Sequence, residues 1–172
     1  MKIVETELLG VFEIDNFVQK DERGSFVKTF NSDAFKKEGF DFEFKESFYS
    51  VSQKNVIRGM HFQVPPFDHE KLVYVVAGEV IDVVVDVRKN SPAFGQYLVV
   101  NLSAGNCKSL LIGKGFAHGF LTITDKAVMH YSTTSVYSKD HDRGIKWDCF
   151  GYDWPVSKPI VSDRDQNFDR LT

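Results

Sequence analysis

Short runs of β-forming residues, each ended by turn residues, recur along most of this 172-residue chain. Residues 81–86 form the strongest run, because four of its six members are Ile or Val, and we expect a central strand there. The predicted strands cover residues 11–14, 25–30, 43–52, 57–62, 71–76, 79–86, 96–102, 110–112, 116–123 and 127–134. So many short strands are typical of a sandwich or a barrel, whose interior can hold one small ligand.

Helical segments and domain boundaries are rare. Only residues 32–38 are predicted to be helical, with a polar N-cap at residue 31 or 32 and Gly39 as the stop. Tight hairpins are predicted at Ala77-Gly78 and at residues 124–126. Because no repeat or linker divides the chain, we expect a single domain with a full hydrophobic core.

Composition and charge argue against several classes of function. The net charge of −3 and the pI near 5.9 do not support nucleic-acid binding, which needs a basic face. No apolar run reaches the length of a membrane span, and the first residues lack the apolar region of a signal peptide. Cys107 and Cys149 have neither metal-binding nor redox spacing, which indicates a reduced, cytoplasmic protein.

Strongly polar side chains occur within or beside several predicted strands. Arg58 and His61 share the strand 57–62, whose other members are mostly apolar, so they require a polar cavity. Alternation puts them on opposite faces unless Gly59 forms a bulge. Further candidates from later segments are Lys71, His118, Tyr131 and Asp165. No cofactor motif accompanies them, and the pattern therefore favours acid–base chemistry by side chains alone.

Each of these residues also has a purely structural explanation. His61 can be a histidine held by hydrogen bonds, and Lys71 can end a strand in solvent. Tyr131 can be an ordinary aromatic core residue, which is the commoner case for a single tyrosine. The Asp-Arg-Asp segment at residues 163–165 is typical of a charged surface.

A metal site built on His61 and His118 is the main chemical alternative. Barrels of this kind often bind a metal through two close histidines, a carboxylate and a distant histidine. Here Gln63 stands two residues after His61, and the next carboxylate is Glu70, so the usual ligand set is broken. We therefore expect no metal.

Several short motifs follow one another in order along nearly the whole chain. They are Arg23-Gly24-Ser25-Phe26, Ile57-Arg58-Gly59-Met60-His61-Phe62-Gln63, Pro65-Pro66, Lys71-Leu72-Val73, Gly78-Glu79-Val80, Gly115-Phe116-Ala117-His118-Gly119-Phe120, Asp153-Trp154-Pro155 and Ser162-Asp163-Arg164-Asp165. Each motif is weak alone, but as an ordered set they resemble the dTDP-4-dehydrorhamnose 3,5-epimerase family.

The resemblance implies an all-β, cupin-type jelly roll with short flanking helices, formed by residues 1–172 as one domain. It implies a homodimer in which residues 1–30 contribute to the contact and to the partner's site. It also implies epimerisation at C3, C5 or both of a nucleotide-linked 4-keto-6-deoxyhexose, without metal or cofactor. The residues are compatible with this chemistry, since a C4 ketone acidifies the hydrogens on its two neighbouring carbons.

The resemblance assigns the proton transfers to three residues. His61 is the base that removes a proton from the sugar. Asp165 orients His61 and stabilises its charged form, as a carboxylate does for imidazole. Tyr131 is the acid that returns a proton from the opposite side of the sugar ring.

Other residues are implied to bind the substrate. Lys71, with Arg58 or His118, would stabilise the developing enolate oxygen. Arg23 would contact the nucleotide phosphates from the other subunit, which suits the bidentate geometry of arginine. The full implied set is Arg23, Phe26, Glu46, Phe48, Arg58, Lys71, His118, Asp142 and Arg164.

The pocket departs from the family pattern at several positions. Glu46 and Phe48 stand where Gln and Asn are common, and Lys28 replaces the usual Glu. His69 stands where Gln is frequent, and Gly113 where Pro is frequent. The catalytic set is intact, whereas the contacts to the nucleotide and the sugar are not standard.

Two other functions remain as alternatives. One is a cupin isomerase that moves a keto group between C3 and C4 of a nucleotide sugar, against which the matches at Tyr131 and Asp165 argue. The other is a non-catalytic cupin that only binds a sugar nucleotide. The presence of His61 together with Tyr131 and Asp165 argues against that alternative as well.

Overall fold

Thirteen strands form two antiparallel sheets and one separate hairpin in this computed structural model, which describes residues 1–172. The strands are β1 Lys2–Glu5, β2 Val11–Asp15, β3 Phe17–Asp21, β4 Gly24–Lys28, β5 Glu46–Gln53, β6 Ile57–Gln63, β7 Lys71–Ala77, β8 Glu79–Asp86, β9 Tyr97–Ser103, β10 Lys108–Ile112, β11 Phe116–Thr122, β12 Lys126–Thr133 and β13 Asp142–Gly144. The first sheet has the order β1-β2-β10-β7-β12-β5, the second has the order β13-β6-β11-β8-β9, and β3 pairs only with β4. The predicted all-β class is confirmed.

The main core lies between the two sheets. Val73 of β7 and Leu110 of β10 meet Val84 of β8 and Phe120 of β11 there, and each is at most 1% exposed. The outer face of the second sheet is covered as well, because the C-terminal segment packs Trp154 against it. Burial on both faces explains why β8 and β11 are almost continuously apolar rather than alternating.

Phenylalanines cover the outer face of the first sheet. The helix α1, Ser32–Lys37, begins at Asn31, whose side chain accepts a hydrogen bond from the Ala34 amide. Its Phe35 is buried in a cluster of phenylalanine rings joined by edge-on contacts. The predicted helix is therefore confirmed, and it uses part of the large phenylalanine content to cover the sheet. The second helix, α2, is Asp163–Gln166. Neither helix is long and apolar enough to cross a membrane.

The two predicted hairpins are wrong. The turn at Ala77-Gly78 joins β7 to β8, and the turn at residues 124–126 joins β11 to β12, but each of these strand pairs is divided between the two sheets. Both connections are corners of the sandwich, and they pack against each other. A Cβ on Gly78 would lie 2.2 Å from the Lys126 carbonyl oxygen, so only glycine fits at this crossing. The turn residues indicate that the chain reverses its direction there, but they do not indicate which strand pairs with the one that follows.

Three strands have no counterpart among the predicted ones. All five residues of β3 are exposed, and β13 has only three residues, none of them apolar. In β1 the apolar pair Ile3-Val4 lies between charged residues without alternation. Backbone pairing, rather than burial of side chains, defines these strands, so the hydrophobic pattern does not predict them.

Candidate active site

A cavity of about 270 Å³ opens between the two sheets. Its walls come from β5, β7 and β12 of the first sheet and from β6, β11 and β13 of the second. Nine of the twelve site residues expected from the sequence line it, namely Glu46, Phe48, Arg58, His61, Lys71, His118, Tyr131, Asp142 and Arg164. Of the other three, Asp165 lies directly behind His61, and Arg23 and Phe26 lie elsewhere.

A bulge at Gly59 brings Arg58 and His61 to the same cavity. His61 pairs with His118 of β11, and Arg58 pairs with Phe120, so β6 has one residue more than β11 over this stretch. Gly59 has a φ of +132°, and a Cβ there would lie 2.6 Å from the Gly119 Cα. Only glycine fits this position, and the bulge that the sequence left open is present.

His61 is held by a buried carboxylate. Its Nε2 lies 2.8 Å from Asp165 Oδ1, and the Gly59 amide donates to the other carboxylate oxygen at 3.1 Å. Asp165 sits in the first turn of α2, which Ser162 caps, and it is 4% exposed. Burial opposes ionisation, but the hydrogen bonds from His61 and Gly59 outweigh it and lower the pKa of Asp165. The carboxylate is therefore charged near neutral pH, and Nδ1 of His61 is left available to accept a proton.

Tyr131 enters the cavity from the other sheet. It lies on β12, whereas His61 lies on β6, so the two side chains belong to facing walls. Its hydroxyl is 3.2 Å from Ser50 Oγ, and its ring stacks on Phe48. Burial raises the pKa of Tyr131 above its ordinary value, so the phenol is neutral near pH 7 and can donate a proton.

Lys71 and His118 also line the cavity, and His118 forms a second histidine–carboxylate pair with Asp82, which lies behind it. His118 Nε2 is 2.8 Å from Asp82 Oδ2, and both residues are buried. Burial lowers the pKa of His118, although Asp82 opposes this effect, so the imidazole is neutral. Lys71 is half-buried as a residue. Desolvation of its ammonium group lowers the pKa to about 8, although the negative charges of Asp82 and Asp142 act to raise it.

Asp82 is a site residue that the sequence analysis missed. It lies within the β-branched run of β8, and this run was interpreted only as a buried strand. A signal was present, because a carboxylate in such a strand needs a buried partner, and His118 is that partner.

Gln63 was considered only as a residue that breaks a metal-ligand set, and its structural role was missed. It is 6% exposed, donates to the Phe67 carbonyl oxygen at 2.8 Å and accepts from the Ser138 amide at 2.7 Å. These bonds tie together the two loops at the rim of the cavity. His69 lies beside Gln63, and burial together with the Lys71 charge lowers its pKa to about 4, so it is a neutral ring at the rim.

Charged residues at the cavity mouth are mostly paired. Arg164 forms an ion pair with Asp142 and lies over the Phe168 ring. Glu46 accepts a hydrogen bond from the Tyr137 amide. An arginine has five N–H donors and a carboxylate has about four acceptor sites, so these residues keep donors and acceptors for the hydroxyls and phosphates of a ligand.

Arg23 and Phe26 do not line this cavity. They belong to the exposed hairpin of β3 and β4, where Arg23 forms an ion pair with Asp21. Their expected action at the site of a second subunit stays a prediction.

No group of three or more His, Cys, Asp or Glu residues is arranged to hold a metal ion. His61 and His118 each use Nε2 for a carboxylate, and Gln63 uses its amide for the rim loops. The expectation that the protein needs no metal stays a prediction.

Nearly the whole chain is similar to known proteins of one family. A sequence model of the dTDP-4-dehydrorhamnose 3,5-epimerase family matches residues 5–172. An enzyme of that name from Shigella flexneri is 44% identical over 170 residues, which cover 97% of this chain and 94% of the relative. The crystal structure of the Bacillus anthracis enzyme with TDP and PPi bound has a TM-score of 0.95 and 37% identity and covers 99% of both chains. The Legionella pneumophila enzyme in complex with dTDP-4-keto-L-rhamnose has a TM-score of 0.94 and 35% identity, covering 99% of this chain and 92% of that one.

Proposed function

The chain belongs to the dTDP-4-dehydrorhamnose 3,5-epimerase family, and we propose on this basis that it inverts C3, C5 or both of a dTDP-linked 4-keto-6-deoxyhexose. One observation carries this proposal beyond family membership. A histidine held by a charged carboxylate and a neutral tyrosine reach one cavity from facing sheets. Inversion needs this arrangement, because the proton leaves one face of a carbon and returns to the other.

His61 removes the proton next to the C4 ketone. Asp165 holds the imidazole through Nε2, so that Nδ1 is free to accept, and its negative charge stabilises the imidazolium that forms. General-base catalysis of this kind contributes about 10²- to 10⁴-fold to the rate. The electrons of the broken C–H bond move to the C4 oxygen and give an enolate.

Lys71 stabilises the negative oxygen of that enolate. Its ammonium group lies in a desolvated part of the cavity, where a charge interacts more strongly than in water. Arg58 lines the same cavity and adds positive charge near the mouth, with its Nε bonded to Ser52 Oγ. The keto group can thus be polarised by side chains of this chain alone.

Tyr131 then delivers a proton to the carbon from the opposite face. The enolate collapses to the ketone and the carbon is inverted. The cycle closes when the phenolate of Tyr131 takes a proton from solvent and the imidazolium of His61 releases one. Repetition at the second carbon next to the ketone would invert C5 as well as C3. Whether C3, C5 or both react therefore depends on how the sugar lies between His61 and Tyr131.

We also propose a homodimer of single-domain subunits in the cytoplasm. Support comes from the hairpin of β3 and β4, on which three apolar residues are exposed: Phe17 is 46% exposed, Val18 is 36% exposed and Phe26 is 58% exposed. Exposed apolar side chains clustered in this way are typical of a contact surface. Arg23 on the same hairpin would then reach the nucleotide phosphates in the other subunit, as residues 1–30 were expected to do.

The test is proton exchange in heavy water. The protein is incubated with dTDP-4-keto-6-deoxyglucose, and NMR records deuterium and configuration at C3 and C5. Deuterium with inverted configuration at either carbon supports the proposal. A keto group that has moved to C3 would support the isomerase alternative, and binding without any exchange would support the non-catalytic one.

A further inference from the structure

Phe48 contacts Tyr131 directly across the pairing of β5 with β12. The two ring centroids are 4.7 Å apart, and the ring planes differ by 14°, so the rings are stacked. Ser50, two residues further along β5, lies 3.2 Å from the Tyr131 hydroxyl. Phe48 thus covers one face of the Tyr131 ring, and Ser50 forms a hydrogen bond with its hydroxyl.

The side chain of Phe48 has no polar atom with which to bind a phosphate or a sugar hydroxyl. It is 45% exposed, so burial of its own surface is not its main contribution. A change of χ1 would swing the Tyr131 side chain and move its hydroxyl relative to the sugar carbons, whereas a flip of the ring about its own axis would not, because the hydroxyl lies on that axis. The stacked Phe48 ring blocks this swing on its own side, and the bond to Ser50 holds the hydroxyl end.

We propose that Phe48 is a positioning residue, which holds the Tyr131 ring so that its hydroxyl faces the sugar carbon from a single side. The proposal rests on the proposed function, in which Tyr131 is the acid. It assigns Phe48 to the inversion step and not to proton removal, which His61 performs on the other wall. It also gives a purpose to one position where the sequence departs from the family pattern.

The test compares Phe48→Leu, which removes the ring face but keeps an apolar side chain, with Phe48→Trp, which keeps an aromatic face. Deuterium wash-in and net inversion are measured separately in heavy water with dTDP-4-keto-6-deoxyglucose. We expect Phe48→Leu to lower the ratio of inversion to wash-in by about tenfold, the upper end of what a stacked aromatic pair contributes. Phe48→Trp should keep the ratio of inversion to wash-in at the wild-type value.

Tyr49→Leu is the matched control, because Tyr49 is the next residue on β5, is 69% exposed and pairs with His130 outside the cavity. Its ratio of inversion to wash-in should equal that of the wild type. If Phe48→Leu raises KM and leaves the ratio unchanged, Phe48 is a ligand contact and the proposal is wrong.

A second measurement does not depend on activity. In protein with ¹³C- and ¹⁵N-labelled tyrosine, the Tyr131 signals are identified by their loss in Tyr131→Phe, and the three-bond couplings from the backbone N and carbonyl C to the ring Cγ report its χ1 rotamers. The wild type should show a single χ1 rotamer, Phe48→Leu should show averaging over more than one, and Phe48→Trp should resemble the wild type. A single rotamer in Phe48→Leu would overturn the proposal even in an active enzyme. Absence of wash-in in the wild type would refute the proposed function, and the χ1 couplings would still decide whether Phe48 holds the side chain.

Discussion

The activity should fall on the alkaline side as Lys71 loses its proton. Desolvation lowers the pKa of Lys71 from 10.5 to about 8. The charged form stabilises the enolate, so about ten-elevenths of the enzyme is competent at pH 7 and about one-eleventh at pH 9, and kcat/KM should drop about tenfold between them. The assay is the initial rate of deuterium wash-in at substrate concentrations well below KM, where the rate reports kcat/KM, in buffers from pH 6 to pH 10.

Lys71→Arg and Lys71→Met identify the group responsible. Lys71→Arg keeps a cation that does not titrate in this range, so the alkaline decline should disappear. Lys71→Met should lower kcat by about 10²- to 10³-fold, the scale of a lost electrostatic stabiliser, and should lack the decline as well. Tyr131 is not a competing explanation, because burial raises its pKa and moves its titration above the assayed range. A decline near pH 8 that persists in Lys71→Met would refute this reasoning.

Four further outcomes are expected. His61→Ala should lower turnover by at least about a hundredfold and abolish wash-in, as lost general-base catalysis does, and unchanged circular dichroism would separate this from unfolding. Tyr131→Phe should retain slow wash-in with retained configuration and lose net inversion, whereas Tyr137→Phe, a change at the exposed cavity rim, should leave inversion intact; the reverse result would reassign the acid. Exhaustive chelation should leave activity unchanged, and elemental analysis should find well under one metal per chain. Light scattering should report about twice the 19.6 kDa chain mass, and a fully active monomer would contradict the dimer.

The barrel wall near the site was largely predictable from local pattern. The β-branched run of β8 and the apolar run of β11 identify buried strands, because burial on both faces leaves no alternation. The sequence shows that Arg58 and His61 can share a face only if Gly59 forms a bulge, but it does not show whether the bulge forms. Its presence depends on the register with β11, which is a long-range property, and that register decides whether Arg58 and His61 share a cavity.

The errors have the same physical origin. Ala77-Gly78 was interpreted as a hairpin because a short turn between two strands usually pairs them, but here the strands continue into different sheets. Asp82 was overlooked because its partner His118 is 36 residues away. Local sequence indicates that a strand or a turn is present, whereas the choice of neighbour comes from the packing of the whole sandwich.

The two histidine–carboxylate pairs of the cavity are chemically different, and this difference divides the work between them. His61 is partly exposed to the cavity, and its carboxylate partner is charged, so it can take up a proton. His118 is buried with a lowered pKa, and its neutral ring donates Nε2–H to Asp82. A neutral imidazole has one N–H, so Nδ1 of His118 has no proton to offer to an enolate oxygen. Of the groups that the sequence suggested for this role, Lys71 and Arg58 remain as donors, and Lys71 is the desolvated one. The alkaline decline of activity therefore tests the identity of the enolate stabiliser as directly as it tests the pKa of one lysine.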